Sequence, residues 1–171
     1  MKVVLITAMS MDGKIARGVD DPIDWTSKED KKFFAKESKK AGVILMGRKT
    51  HAAIGRVLPD RLNIVFTKNP KKYNSYNYKG NLEFTNKSPE IVLKDLKKRG
   101  FKLVILIGGS TLNAEFLKRG LIDEIWITIE GIIFGEGIPL FAKGKFKVLT
   151  ELISCDKLGT SGVLFKYKLK Y

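Results

Sequence analysis

Val43-Ile-Leu-Met-Gly-Arg-Lys-Thr50 sets the reading of this chain, and Leu103-Val-Ile-Leu-Ile-Gly-Gly-Ser-Thr111 repeats its pattern. Each is an unbroken apolar run that ends in glycine and passes into what reads as the first turn of a helix. Buried parallel strands carry such runs. Glycine lets the backbone come close to a ligand, and the free N–H groups of a new helix face an anion. Two such turns in 171 residues point to one phosphate-bearing dinucleotide lying across both.

The rest of the chain organises around these turns. Val3–Ala8 reads as a first buried strand, Ser27–Lys40 as a helix, Val43–Met46 as a strand and Thr50–Gly55 as a short helix. Strands follow at Leu62–Thr67 and Leu82–Phe84, then a helix over Pro89–Arg99 that closes at Gly100. Leu103–Ile107 is the most apolar strand and belongs at the sheet centre. A helix over Thr111–Arg119 ends at Gly120, and Glu124–Ile129 returns as a strand. Strands alternating with helices specify an α/β domain with a mostly parallel central sheet. The tail differs: Lys147–Asp156 and Val163–Tyr171 read as strands joined by Leu158-Gly-Thr-Ser-Gly162, a C-terminal antiparallel hairpin. Phe165, Tyr167, Leu169 and Tyr171 alternate with Lys166, Lys168 and Lys170, so one face is expected to be buried and the other wet. This tail reads either as a homodimer surface or as the closing hairpin of a monomer. No repeat, linker or low-complexity stretch divides residues 1–171, and a single domain is expected.

At 19.2 kDa the chain buries roughly 70% of the surface its unfolded form exposes, enough to fold without a staple. Cys155 and His51 are each the only residue of their type, so neither an internal disulfide nor a zinc spacing is expected, and no metal. The apolar runs fall far short of the ~20 residues that cross a bilayer, and Met1-Lys2 leads into a strand without a signal-peptide pattern. A cytoplasmic protein with no membrane partner is expected. Lys and Arg number 32 against 18 Asp and Glu, a net charge of +14. That balance could suit a nucleic-acid partner, but the lysines are scattered along the chain, as at Lys94, Lys97, Lys98 and Lys102, so a solvated lysine-rich surface that steers anionic ligands is expected instead. Cations and aromatics interleave most closely over Lys71–Lys79, as in single-strand binders or in a surface connection with its tyrosines lying on the body.

Asp30 is the most informative side chain outside the glycine turns. Thr26-Ser-Lys-Glu-Asp30 opens the first helix, and Thr26 with Glu29 fits a capping box. An acid in a first turn is favoured by the helix dipole alone. Asp30, however, shares the face of Phe33 and Phe34, not that of Lys28, Lys32, Lys36 and Lys39. A carboxylate among inward-facing aromatics needs a partner, and a ligand with adjacent N–H donors would supply one.

Taken in order, Asp12-Gly-Lys-Ile-Ala16, Trp25, Glu29-Asp30 with Phe33-Phe34, Met46-Gly-Arg-Lys-Thr50, Leu58-Pro-Asp-Arg-Leu-Asn-Ile-Val-Phe-Thr67, Ile107-Gly-Gly-Ser110, Leu121-Ile-Asp-Glu-Ile-Trp-Ile-Thr128 and Gly135-Glu-Gly-Ile-Pro-Leu-Phe141 resemble dihydrofolate reductase. More broadly they resemble the superfamily that also holds the reductase domain of riboflavin biosynthesis. The resemblance implies a three-layer α/β fold, NADPH as cofactor and 7,8-dihydrofolate as substrate, reduced by hydride transfer. It implies that Asp30 pairs with the pterin ring N–H and amino group, supported by Thr128, in a pocket lined by Ala8 and Phe34. Ala8 and Ile15 would border the nicotinamide. Gly47, Arg48, Lys49 and Thr50 would hold the cofactor phosphates, and Thr67 and Lys68 the adenosine 2′-phosphate. Ile107, Gly108, Gly109, Ser110 and Thr111 would receive the nicotinamide and pyrophosphate. Arg61 would hold the α-carboxylate of the folate tail, a natural bidentate pairing; it also reads as a surface arginine near a turn.

Departures from the pattern keep a second reading open. Ser10-Met-Asp-Gly-Lys14 looks more like the riboflavin-pathway reductase, whose lysine helps bind a ribose phosphate. Pro22-Ile-Asp24 replaces an apolar-Pro-Trp approach, and His51 stands where an aromatic is common. The Asp-x-Pro-x-Leu-Thr segment of the riboflavin enzymes is missing, which with Arg61 favours the folate substrate over a ribosylaminopyrimidine phosphate. An inactive reductase fold that binds nucleic acid is a third reading.

Overall fold

The computed structural model describes residues 1–73 and 80–171. The chain enters as β1 (Lys2–Ser10) and a short β2 (Lys14–Ala16), followed by α1 (Lys28–Ala41), β3 (Val43–Gly47) and α2 (Arg48–Ile54). Then come β4 (Leu62–Phe66), β5 (Leu82–Thr85), α3 (Pro89–Lys98), β6 (Leu103–Leu106), α4 (Ser110–Lys118) and β7 (Glu124–Glu130). A two-residue β8 (Ile138–Pro139) precedes β9 (Leu149–Leu158) and β10 (Gly162–Lys170). Of the basic, aromatic stretch Lys71–Lys79, residues 74–79 lie outside the described residues; Tyr73 ends a 3₁₀ turn and stacks on Phe84 with centroids 4.5 Å apart.

Eight strands form one sheet in the order β5-β4-β3-β6-β1-β7-β10-β9. The pairs from β5 across to β7 are parallel, and β10 runs antiparallel to both β7 and β9. Strand alternation sends Val3, Leu5, Val43, Leu45, Val104 and Leu106 to one face, where Leu93 and Leu96 of α3 and Leu112 and Phe116 of α4 cover them. Val4, Ile6, Ile44, Met46 and Ile105 point to the other face, against Phe33, Phe34 and Ala41 of α1 and Ile54 of α2. The result is the expected three-layer α/β architecture. β6 slots between β3 and β1, so the helix leaving β3 and the helix leaving β6 go to opposite faces. Ligands of open α/β sheets bind at the crevice such a divergence leaves beyond the strand ends.

Several local expectations are corrected. The N-cap of α1 is Ser27, not Thr26: its Oγ accepts the N–H of Asp30 at 3.1 Å, which makes Asp30 the third helical residue. The two hydroxyls are adjacent in sequence, and Ser27 is also held from a distance by Glu130, whose carboxylate accepts the Ser27 N–H at 2.7 Å. The helix after β3 starts at Arg48 instead of Thr50, because Gly47 already acts as its N-cap. β2 and β8 pair into a second, two-stranded sheet that the sequence did not reveal. In the hairpin the register shifts between Lys166 and Tyr167, and Leu164 and Leu169 are buried although they lie on opposite faces. The wet-face expectation holds at Lys168 and Lys170, both exposed. It fails at Lys166, because α1 covers that side and the lysine Nζ lies 4.8 Å from the centre of the Trp126 ring. Tyr171 is exposed, as are Leu149, Leu152 and Ile153 on the edge strand β9. Among the described residues no helix is long and apolar enough to cross a membrane.

Phe116 anchors the α4 layer: it is fully buried and meets Phe66 edge-on at 5.9 Å. Phe116→Ala is expected to cost about 3–5 kcal/mol of stability by urea unfolding; a loss below about 1 kcal/mol would show that the layer closes over the cavity.

Candidate active site

The two glycine turns touch. The N–H of Gly47 donates to the carbonyl of Gly108 at 2.7 Å. A Cβ at Gly47 would sit 3.7 Å from the Gly109 nitrogen, and one at Gly109 would sit 3.3 Å from Thr50 Oγ1. Gly108 has φ +98 and joins Gly109 through a cis peptide bond. Side chains here would fill the crevice, so glycine keeps it open. Gly47 and Gly109 are the N-caps of α2 and α4, and neither helix has a side-chain cap. The first N–H groups of α4 are therefore available to a ligand. Ser110 Oγ is buried there without a hydrogen-bond partner among the described residues, as is expected of a hydroxyl whose partner is a bound molecule.

A cleft of about 1610 Å³ runs from these turns in both directions. Single-ligand pockets commonly occupy ~300–1,000 Å³, so the cleft has room for a cofactor and a substrate together. Its lining includes Ala8, Ile15, Asp30, Phe34, Gly47, Arg48, Lys49, Thr50, Thr67, Lys68, Ile107, Gly109, Ser110 and Thr111. Fourteen of the residues expected from the sequence thus meet around one space. Lys68, Lys72 and Lys87 join Arg48 and Lys49 at the end beneath β4 and β5, and like-signed charges lining one cleft focus field on an anion. His51 lies beside this end; its Nε2 is buried with no hydrogen-bond partner among the described residues, its ring meets Phe84 at 5.6 Å, and burial pushes its imidazole below the usual histidine range.

The opposite end is acidic and apolar. Asp30 is 7% exposed, faces the cleft beside Phe34, and has the Thr128 hydroxyl within hydrogen-bonding reach. Burial pushes its carboxyl above the usual range, against the downward pull of the Thr128 hydroxyl; the charge of Glu130 adds to the rise and Lys31 opposes it. Thr128 is buried and pairs across the sheet with Ala8 on one side and Leu164 on the other. Thr128 and Gly108 support the cleft without lining it.

A strap closes the third side. Asp12 accepts the N–H groups of Phe134 and Gly135 at 3.1 and 2.8 Å and the Ser10 hydroxyl at 2.6 Å. The Ser10 bond foremost, with those two N–H groups, holds the Asp12 carboxyl at about 2. β2–β8 pairing extends the same tie and brings Ile15 and Ala16 over the cleft. Lys14 is outside the lining, its stem packed toward Gly137.

Arg61 is also outside the lining, but it is not a surface residue. It is 5% exposed; Nε donates to the Pro59 carbonyl at 2.9 Å and Nη1 to the Ser38 hydroxyl. Ser38 stands one helical turn beyond Phe34. Among the described residues no carboxylate pairs with Arg61, since the neighbouring Asp60 bonds Lys39 at 2.8 Å. Burial lowers the affinity of this guanidinium for its proton.

Sequence reasoning missed Glu130, Lys72 and the segment Thr85-Asn-Lys-Ser-Pro89, which also lines the cleft. That segment is a strand end followed by a serine cap and a proline in the first turn of α3, the same strand-to-helix grammar written without glycine.

Residues 2–140 match the model of a family described as dihydrofolate reductase. The dihydrofolate reductase of Buchnera aphidicola subsp. Baizongia pistaciae is 34% identical over 137 residues, covering 80% of this chain and 76% of its own. Two solved structures share the fold. Dihydrofolate reductase from Enterococcus faecalis, complexed with NADP(H), superposes with a TM-score of 0.71 at 23% identity, over 99% of this chain and 97% of that one. A diaminohydroxyphosphoribosylaminopyrimidine deaminase/5-amino-6-(5-phosphoribosylamino)uracil reductase from Thermotoga maritima superposes with a TM-score of 0.80 at 18% identity, over 98% of this chain and 56% of that one. With most of its length matched by the family's model, the chain belongs to the dihydrofolate reductase family of reductases.

Proposed function

We propose that this protein reduces 7,8-dihydrofolate to tetrahydrofolate with NADPH, in the cytoplasm. One observation carries the reading: a buried carboxyl, Asp30, stands at the apolar end of a cleft whose other end gathers Arg48, Lys49, Thr67 and Lys68 around two touching glycine turns. The open glycine crevice and the unpartnered Ser110 hydroxyl fit a pyrophosphate between β3 and β6, with Thr67 and Lys68 at the 2′-phosphate. NADPH supplies the hydride when bound. Asp30 accepts the ring N–H and the amino group of the pterin in parallel, which fixes the ring's orientation. Thr128 fixes the carboxyl, Phe34 and Ala8 bound the ring, and Ile15 excludes water from the reacting carbons. Arg61, buried and without a carboxylate of its own, receives the α-carboxylate of the folate tail beyond Phe34.

A second reading, reduction of a ribosylaminopyrimidine phosphate, is favoured by Ser10-Met-Asp-Gly-Lys14 and by the Thermotoga likeness in fold. NADPH consumption followed with dihydrofolate and with the pyrimidine side by side separates the two; the expected result is turnover with dihydrofolate. Turnover with the pyrimidine alone would reassign the substrate. Salt-sensitive RNA or DNA binding with no NADPH oxidation would instead support an inactive nucleic-acid binder.

Asp30→Asn is expected to keep NADPH affinity while turnover falls by about a hundredfold or more; unchanged turnover would reduce Asp30 to a helix-start charge. The same variant has a stability signature. A carboxyl raised by burial supports folding fully below its unfolded value of about 3.9 and loses that support as pH rises through its folded value. Asp30→Asn should therefore melt higher than the parent at neutral pH, with the gap closing on acidification.

Arg61→Ala should weaken dihydrofolate binding by about ten- to a hundredfold, the ~1.5–3 kcal/mol of a charge-assisted bond, and leave a pterin without the tail unaffected. Equal losses for both ligands would remove Arg61 from the tail site.

A further inference from the structure

β7 places two buried polar side chains, not one, behind the acid end of the cleft. Thr128 and Glu130 are two residues apart on the strand and therefore share a face. Glu130 is 3% exposed, and its Oε1 accepts the backbone N–H of Ser27 at 2.7 Å. Ser27 in turn accepts the N–H of Asp30 at 3.1 Å, while Thr128 reaches the Asp30 carboxyl. The first turn of α1 is thus pinned to β7 through its backbone by Glu130, with the Thr128 hydroxyl facing the Asp30 carboxyl beside it. Both side chains lie beside β10: a Cβ at Gly162 would be in ordinary contact with Glu130 Oε2 at 3.4 Å and the Thr128 methyl at 3.5 Å, while the Leu158 carbonyl at 2.7 Å is what excludes it.

We propose that Glu130 is a positioning residue for Asp30: it latches the start of α1 to β7, aims Asp30 into the cleft, and keeps a second negative charge behind it. This rests on the reading of Asp30 as the acid that anchors the substrate. A charge of the same sign in a dry site disfavours ionisation of its neighbour, and the push of Glu130 on Asp30 has that sign. The other charged groups at this end do not cancel it. Asp21 is occupied by Arg17, Glu29 turns toward Gly159 in the hairpin turn, and Lys166 lies over the rings of Trp126 and Phe33. Lys31, next to Asp30 in the first turn, opposes the rise more weakly than Glu130 drives it.

The test is the carboxyl ¹³C titration of Asp30 in the intact protein without ligands, assigned with Asp30→Asn, in the parent, Glu130→Gln and Glu130→Asp. Glu130→Gln keeps an acceptor for Ser27 but removes the charge, so the Asp30 midpoint moves to lower pH. Glu130→Asp retains the charge and restores the midpoint toward the parent value. The pH profile of kcat moves with the midpoint in Glu130→Gln, while KM changes by less than about twofold. An unchanged Asp30 midpoint in Glu130→Gln, or identical midpoints for Gln and Asp, would overturn the proposal. A shifted midpoint in a protein that turns over neither substrate would leave the Glu130 assignment standing and refute the reading of the reaction.

Discussion

The hydrogen bond from Gly47 to Gly108 is the constraint on which the site depends. It ties together the ends of β3 and β6, neighbouring strands whose outgoing helices leave for opposite faces of the sheet. A side chain at Gly109 would crowd Thr50, with its Cβ 3.3 Å from Oγ1, and one at Gly47 would stand against the facing turn. The crevice is consequently built from main chain, and its shape is fixed by the central strands, which are the most buried part of the molecule.

From that crevice the cleft divides by charge. Cations from the ends of β3, β4 and β5 face one arm; a carboxyl among aromatic side chains faces the other. The two arms suit a ligand of opposite charge and a ring rich in N–H donors, and a reductase must hold both at once. Part of the +14 charge therefore has a local use, since Arg48, Lys49, Lys68, Lys72 and Lys87 all border the same arm. The isolated lysines of α3, Lys94, Lys97 and Lys98, are exposed and solvate the outer layer.

The sheet, its four main helices and the two glycine turns at the centre of the cleft were legible because their signals are local. An apolar run followed by glycine marks β3 and β6, and an acid on an aromatic face marks Asp30. What escaped depends on partners far along the chain. Glu130 holds Ser27, the cap of α1, from 103 residues away, and nothing near Ser27 announces it. β2 and β8 are too short for periodicity to show. Arg61 reads in the sequence as the holder of a folate carboxylate or as a surface arginine near a turn, and its burial against Ser38 of α1 has no local signal. Lys166 breaks the hairpin's pattern because α1 happens to cover it.

The Asp12 strap couples two loops that lie more than a hundred residues apart. Together with the β2–β8 pairing it fixes them to each other at two points. An insertion in one would break the clasp unless the other changed in step. Among descendants of this sequence, the two segments should gain and lose residues as a pair, and their histories should be correlated even where the rest of the cleft wall drifts independently.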